Sequence, residues 1–169
     1  HVFHYGSDGK LLREYRTEAN GGLFGFLAVT STVLADNDTR MIYISETGRR
    51  VMQYDLANDR QLPDLADFSK DPAVPMVLVM NPTPDGQLLI STGKGFILVD
   101  ARSGKVLRDY PLQGMGWAAV NSSADGQYAL IGNFFTGDIV KVRLADGAVV
   151  AKNNIGQKES LSGVAQFPG

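Results

Sequence analysis

The sequence predicts an all-β fold: a β-propeller of four-stranded antiparallel blades, about four of them present, forming part of a larger ring. Three observations predict it. Short β-branched or aromatic runs alternate with Asp-Gly and related turn signals through the 169 residues. Four such runs recur within the roughly 40 residues that make one blade. The third runs also align at a near-regular interval: with Tyr5, Tyr54, Val99 and Val142 as equivalents, the spacings are 49, 45 and 43 residues.

The blade limits expected from this repeat are 1–16, 23–66, 73–111, 116–154 and 161–169. In the first unit, HVFHY and KLLREY flank the turn Gly6-Ser7-Asp8-Gly9, so residues 1–16 read as the last two strands of a blade. After the breaker Asn20-Gly21-Gly22, residues 24–30 are expected as a first strand. Polar Ala35-Asp36-Asn37-Asp38 then turns into MIYIS (41–45), VMQYD (51–55) and a weaker outer strand at 61–65. Pro72 and Pro75 mark a connection before VPMVLVM (74–80), which is expected to open the next blade.

Pro84-Asp85-Gly86 leads to a strand at 87–91, and FILVD (96–100) is apolar on both faces, as a strand sandwiched between neighbouring blades requires. Residues 105–110 complete that unit. The clearest blade follows: a strand at 117–121, the turn Ser123-Ala124-Asp125-Gly126, and the three-strand meander QYALIGNFFTGDIVKVRLADGAVVAKN. GVAQF (163–167) is expected to start another first strand. No segment keeps a helical apolar period for ten residues without Gly or Pro, residues 17–31 being the nearest exception.

The count is then three full blades with two strands before and one after. A ring closed by its own ends would have a three-stranded blade, so residues preceding His1 are expected in the native protein; closure through another chain, or a four-bladed ring, are the alternatives. An uncovered blade edge invites strand pairing.

Composition narrows the function classes. Sixteen Lys and Arg stand against 18 Asp and Glu, a net charge of −2, so the basic footprint of a nucleic-acid binder is missing. Without cysteine there is no thiolate nucleophile, disulfide framework or Cys-ligated zinc. No apolar run approaches the ~18 residues of a membrane span. The N-terminus lacks the basic and apolar regions of a secretory signal.

NSSADGQYALIGNFFTGDIVKVRLADGAVV (121–150) resembles the repeat of NHL and YVTN-type propellers. ISETGRRVMQYDLANDRQLPDL (44–65), PDGQLLIST and the segment from Gly116 onward are similar to the C-terminal portion of bacterial streptogramin-lyase-like propeller proteins. That resemblance implies one or two further blades before His1 and an extracellular or periplasmic setting. It also brings in metal-dependent lyases and lactonases of the senescence-marker type (SMP-30-like). Such lyases use a histidine and an acidic residue beside a divalent metal at the central funnel. This chain offers only His1 and His4, in an outer strand, so no catalytic residue is carried over.

In a propeller, the loops between second and third strands and those joining blades gather at one mouth of the channel. Glu46, Arg49, Lys94, Asn133, Phe134 and Trp117 are the candidate binding residues there, with Asp71 and Gln113 beside them. Charge, amide and aromatic groups together suit protein recognition, although each is also an ordinary loop residue, and Trp117 suits packing between blades. Asp36-Asn37-Asp38 fails the calcium-loop spacing and reads as a polar turn. Thr92-Gly93-Lys94-Gly95 lacks the rest of a phosphate loop. Asn37-Asp38-Thr39 and Asn121-Ser122-Ser123 fit the glycosylation sequon. The expected function is a non-catalytic module for protein interaction or self-assembly, with no resident cofactor. The alternative is a metal-dependent lyase or lactonase at the funnel, with a divalent metal held by Glu46 and Asn133.

Overall fold

The computed structural model describes residues 2–15, 31–45, 49–156 and 158–159. They form a hairpin and three four-stranded antiparallel meanders. The hairpin is β1 (Val2–Tyr5) and β2 (Leu11–Tyr15). The first blade is β3 (Thr32–Ala35), β4 (Arg40–Ser45), β5 (Arg50–Asp55) and β6 (Arg60–Asp67). The second is β7 (Met80–Pro82), β8 (Leu88–Ser91), β9 (Gly95–Val99) and β10 (Val106–Pro111). The third is β11 (Trp117–Ser122), β12 (Tyr128–Asn133), β13 (Asp138–Arg143) and β14 (Val149–Asn154). Each blade runs inside to outside in sequence order, and the first strands β3, β7 and β11 lie against one another. That is the radial stacking of a partial propeller. Among the described residues no helix is long and apolar enough to cross a membrane.

Side chains alternate across a strand, so a strand between two blades serves two cores. In β4, Ile42 and Ile44 enter the core shared with the second blade, while Met41 and Tyr43 enter the core shared with the hairpin. In β8, Leu88 and Ile90 join the former and Leu89 joins the core between second and third blades. The two-faced apolarity of residues 96–100 has the same origin: Ile97 and Val99 point one way, Phe96 the other.

Two strands differ from expectation. The innermost strand of the first blade is β3, at residues 32–35; the strand expected at 24–30 lies outside the described residues, as does that at 163–167. In the second blade, strand geometry begins only at Met80. Upstream, Leu78 N donates to Ser91 O (3.1 Å), Val79 N donates to Ser91 Oγ (3.0 Å), and Ser91 N donates back to Val79 O (2.9 Å). Pro75 has no N–H to contribute to a longer ladder.

A sequence echo ties blades together. GKLLREY (9–15) and GKVLRDY (104–110) place Arg and Tyr on the outer strands β2 and β10. Arg13 pairs with Asp59 at 3.1 Å, and Tyr15 meets the ring of Tyr54 edge-on at 5.7 Å. Arg108 donates to the carbonyls of Leu144 (2.9 Å) and Ala145, and Tyr110 Oη donates to Leu144 O at 2.7 Å. In both cases the outer strand clasps the turn between third and fourth strands of the next blade.

Turns throughout the blades are built on carboxylates. Asn58 donates to Asp55, Tyr54 and Arg13 donate to Asp59, Ser103 to Asp100, Ser123 to Asp125, and Asn154 to Asp138; each aspartate is held below the ordinary carboxylate pKa by these bonds. A depressed folded-state pKa contributes stability that is complete above the unfolded value, about 3.9, and disappears as pH falls through the folded value. The thermal midpoint is therefore expected to be level from pH 7 to about 5 and to drop steeply below about 4. A midpoint that held steady or rose on acidification would contradict this account of the turns.

Candidate functional site

The β8–β9 and β12–β13 turns and the connectors entering β7 and β11 meet at one end of the inner strands. Main-chain hydrogen bonds join them. Gly93 and Trp117 form an isolated antiparallel bridge, with Gly93 N donating to Trp117 O (3.2 Å) and Trp117 N donating to Gly93 O (3.1 Å). Gly116 N also donates to Gly93 O (2.9 Å), and Phe134 N donates to Gly116 O (2.8 Å). Gly93 and Gly116 have φ of 80° and 96°, which glycine adopts without strain.

Several residues expected at this mouth are absorbed by its construction. Arg49 donates to the carbonyls of Val74 (2.9 Å), Asp71 (3.2 Å) and Ser69, pinning the connector between first and second blades. Asp71 turns that connector, its carboxylate accepting from Ala73 N at 2.9 Å. Asn133, only 3% exposed, donates through Nδ2 to Met115 O (2.8 Å) and accepts at Oδ1 from Phe135 N (3.0 Å) and Thr136 N (3.1 Å). Both Oδ1 lone pairs are thus used, so ligating a metal would cost it a turn hydrogen bond. Trp117, 5% exposed, packs in the core between second and third blades and donates Nε1–H to Gln113 O (3.1 Å).

Two expected residues remain presented to solvent. Lys94 is exposed at the tip of the β8–β9 turn; its carbonyl accepts from Leu112 N (2.9 Å), and its ammonium has no ion pair among the described residues. Phe134 is half-buried and meets Phe135 edge-on at 5.5 Å. Glu46 lies outside the described residues.

Beside Lys94 the structure adds three residues not expected from sequence. Met76, Met115 and Phe135 are 42%, 44% and 55% exposed. They are contiguous: a Cβ built on Gly93 would stand 3.2 Å from Met76 Sδ and 3.7 Å from Met115 Cε, and one built on Gly116 would strike the Phe135 ring. The two methionines sit in successive connectors just before an inner strand, a positional repeat that the sequence did contain. Flexible thioethers beside an aromatic ring make a surface that adapts to a partner's side chains.

Elsewhere, Asp36, Asn37 and Asp38 form an exposed turn with φ of 55°, 55° and 61°. Of the two sequons, that at Asn37 lies in this exposed turn, whereas Ser122 and Ser123 of the other are buried. His4 borders a cavity of about 510 Å³ with Tyr15, Leu34 and Met41; His1 is outside the described residues. Among the described residues no group of three His, Cys, Asp or Glu side chains is placed to hold a metal ion.

The sequence matches no protein-family model and no curated protein. Solved structures do share its architecture. One is hydrazine synthase from Kuenenia stuttgartiensis, 12% identical, aligned over 86% of this chain and 39% of that one with a TM-score of 0.64. The chain thus spans well under half the length of that neighbour. At such low identity the likeness speaks for the fold alone: the chain carries a partial β-propeller.

Proposed function

We propose that the protein is a non-catalytic propeller that docks a protein partner at the mouth formed by the β8–β9 and β12–β13 turns. The observation that carries this reading is the solvent-facing cluster of Met76, Met115 and Phe135 around Gly93 and Gly116. Aromatic and methionine side chains are enriched at interface cores, where a few anchors dominate the energy. Lys94 adds a cation at the rim, the position where a charge tunes encounter and orientation. The Asp-Gly-punctuated blades support reading the chain as an NHL/YVTN-type propeller.

Panning a displayed peptide library against the chain tests the proposal, with a Met76→Ser, Met115→Ser, Phe135→Ser variant as comparison. Peptides selected on the parent are expected to lose at least tenfold in affinity on the variant, the size of about 1.4 kcal/mol. Equal affinity for both proteins, or turnover of lactones with added magnesium or calcium, would overturn the reading.

A further inference from the structure

The repeat gives an internal standard for the opposite ends of the blades, and one junction departs from it. The β7–β8 and β11–β12 turns are alike: Thr83 Oγ1 donates to Asp85 Oδ1 and Ser123 Oγ donates to Asp125 Oδ1, each at 2.5 Å. Each ends on a glycine with positive φ, Gly86 and Gly126. Between second and third blades the gap is closed, because Pro84 packs on Gly126; a Cβ there would lie 3.4 Å from Pro84 Cδ. Between first and second blades the equivalent glycine, Gly86, has nothing within 4 Å of a Cβ position.

The cause is the first blade's own turn, where Asp36-Asn37-Asp38 stands in place of Pro-Asp-Gly. Its three left-handed residues redirect the chain, and Asp36 is drawn onto Arg40, whose Nε donates to Asp36 Oδ2 at 2.6 Å. Arg40 Nη1 also donates to Ala101 O at 3.1 Å, tying the turn to the second blade. A cleft of about 410 Å³ is left open, within the size range of small-molecule sites.

Its lining carries both signs of charge. Two turns of the second blade line it: β7–β8 brings Asp85, with only Oδ1 engaged among the described residues, beside Gln87, and β9–β10 brings the exposed Arg102, which has no ion pair among the described residues. Pro82, Val33 and Ala35 form the cleft's accessible apolar floor, over the buried Ile42 and Leu88. The carboxylate of Asp36 is hydrogen-bonded by Arg40, and Asp100 Oδ1 by Ser103 and the amides of Arg102 and Ser103; both carboxylates also act on Arg102 at longer range, but neither forms an ion pair with it.

We propose that this cleft binds a small apolar zwitterion, an amino acid or dipeptide with free termini, its ammonium on Asp85, its carboxylate on Arg102 and its side chains on the floor. The assignment is independent of partner docking at the other end of the inner strands.

Calorimetric titration of the chain with Leu-Leu, N-acetyl-Leu-Leu and Leu-Leu amide tests it. Leu-Leu is expected to bind at least tenfold more tightly than either blocked form. Asp85→Asn keeps an oxygen for Thr83 and should abolish the preference for a free ammonium. Arg102→Gln should abolish the preference for a free carboxylate. A thermal midpoint close to the parent's confirms that each variant is folded. No binding of Leu-Leu, equal binding of all three ligands, undiminished binding of the amide form, or displacement of Leu-Leu by calcium would each overturn the proposal.

Discussion

Gly104→Ala is expected to destabilise the protein by about 3 kcal/mol or more, because the added methyl group meets both a left-handed backbone and a neighbouring main chain. Gly104 has a φ of 70° in the turn between β9 and β10. A side chain there costs about 1–2 kcal/mol in the left-handed region alone. The Cβ would also run into the carbonyl of Leu65, a backbone group of β6 that cannot rotate away. Relief requires moving either the turn or Leu65, and Leu65 is 8% exposed in the core between first and second blades.

Two other glycines isolate the steric part. Gly86 (φ 80°) has nothing within 4 Å of the added methyl, and at Gly147 (φ 80°) the nearest atom, Tyr110 Cδ1, is at an ordinary 3.5 Å. Alanine at either site should cost only about 1–2 kcal/mol. Urea denaturation of the three variants checks this, and equal midpoints for all three would show that the blade contact at Leu65 is not rigid.

Tyr110→Ala is the second large effect, about 3–5 kcal/mol by analogy with other buried aromatic truncations. Tyr110 is 3% exposed, stacks on Phe96 with centroids 4.5 Å apart and planes 10° from parallel, and reaches Leu144 O in the neighbouring blade. Tyr110→Phe keeps the stack and leaves Leu144 O with its bond from Arg108. It should therefore cost only about 1 kcal/mol. A Phe variant as unstable as the Ala variant would place the energy in the hydroxyl rather than the ring.

The blades were legible in sequence because turn chemistry and two-sided apolar strands agree there. Asp125-Gly126 and Asp146-Gly147 mark turns, and FILV needs cover on both faces; β9 and β13 follow. Residues 74–80 misled by composition. Their apolar run has a strand's content, but Pro75 and the irregular bonds between residues 78–79 and Ser91 delay β7 to Met80. That assignment hid Met76 as a strand residue, when it is an exposed connector residue.

At the mouth, the loop positions of Arg49 and Asn133 were readable but their use was not. Arg49 serves carbonyls 20 to 25 residues away and Asn133 one 18 residues away. Only tertiary geometry decides whether a polar side chain on a turn is offered outward or consumed within. The echo of GKLLREY in GKVLRDY was present in the sequence, but its meaning depended on knowing that the next blade's turn lies beneath those side chains.

The Gly93–Trp117 bridge has a practical consequence. It ties the backbone of the chain's sole tryptophan to the β8–β9 turn, whose Gly93 lies against Met76 and Met115, while the indole itself donates to Gln113 O in the connector that carries Met115. Tryptophan emission, excited where tyrosine does not absorb, thus comes from one residue tied to the turn and connector that carry the exposed cluster, giving a built-in optical gauge of occupancy at that end of the molecule without any attached dye.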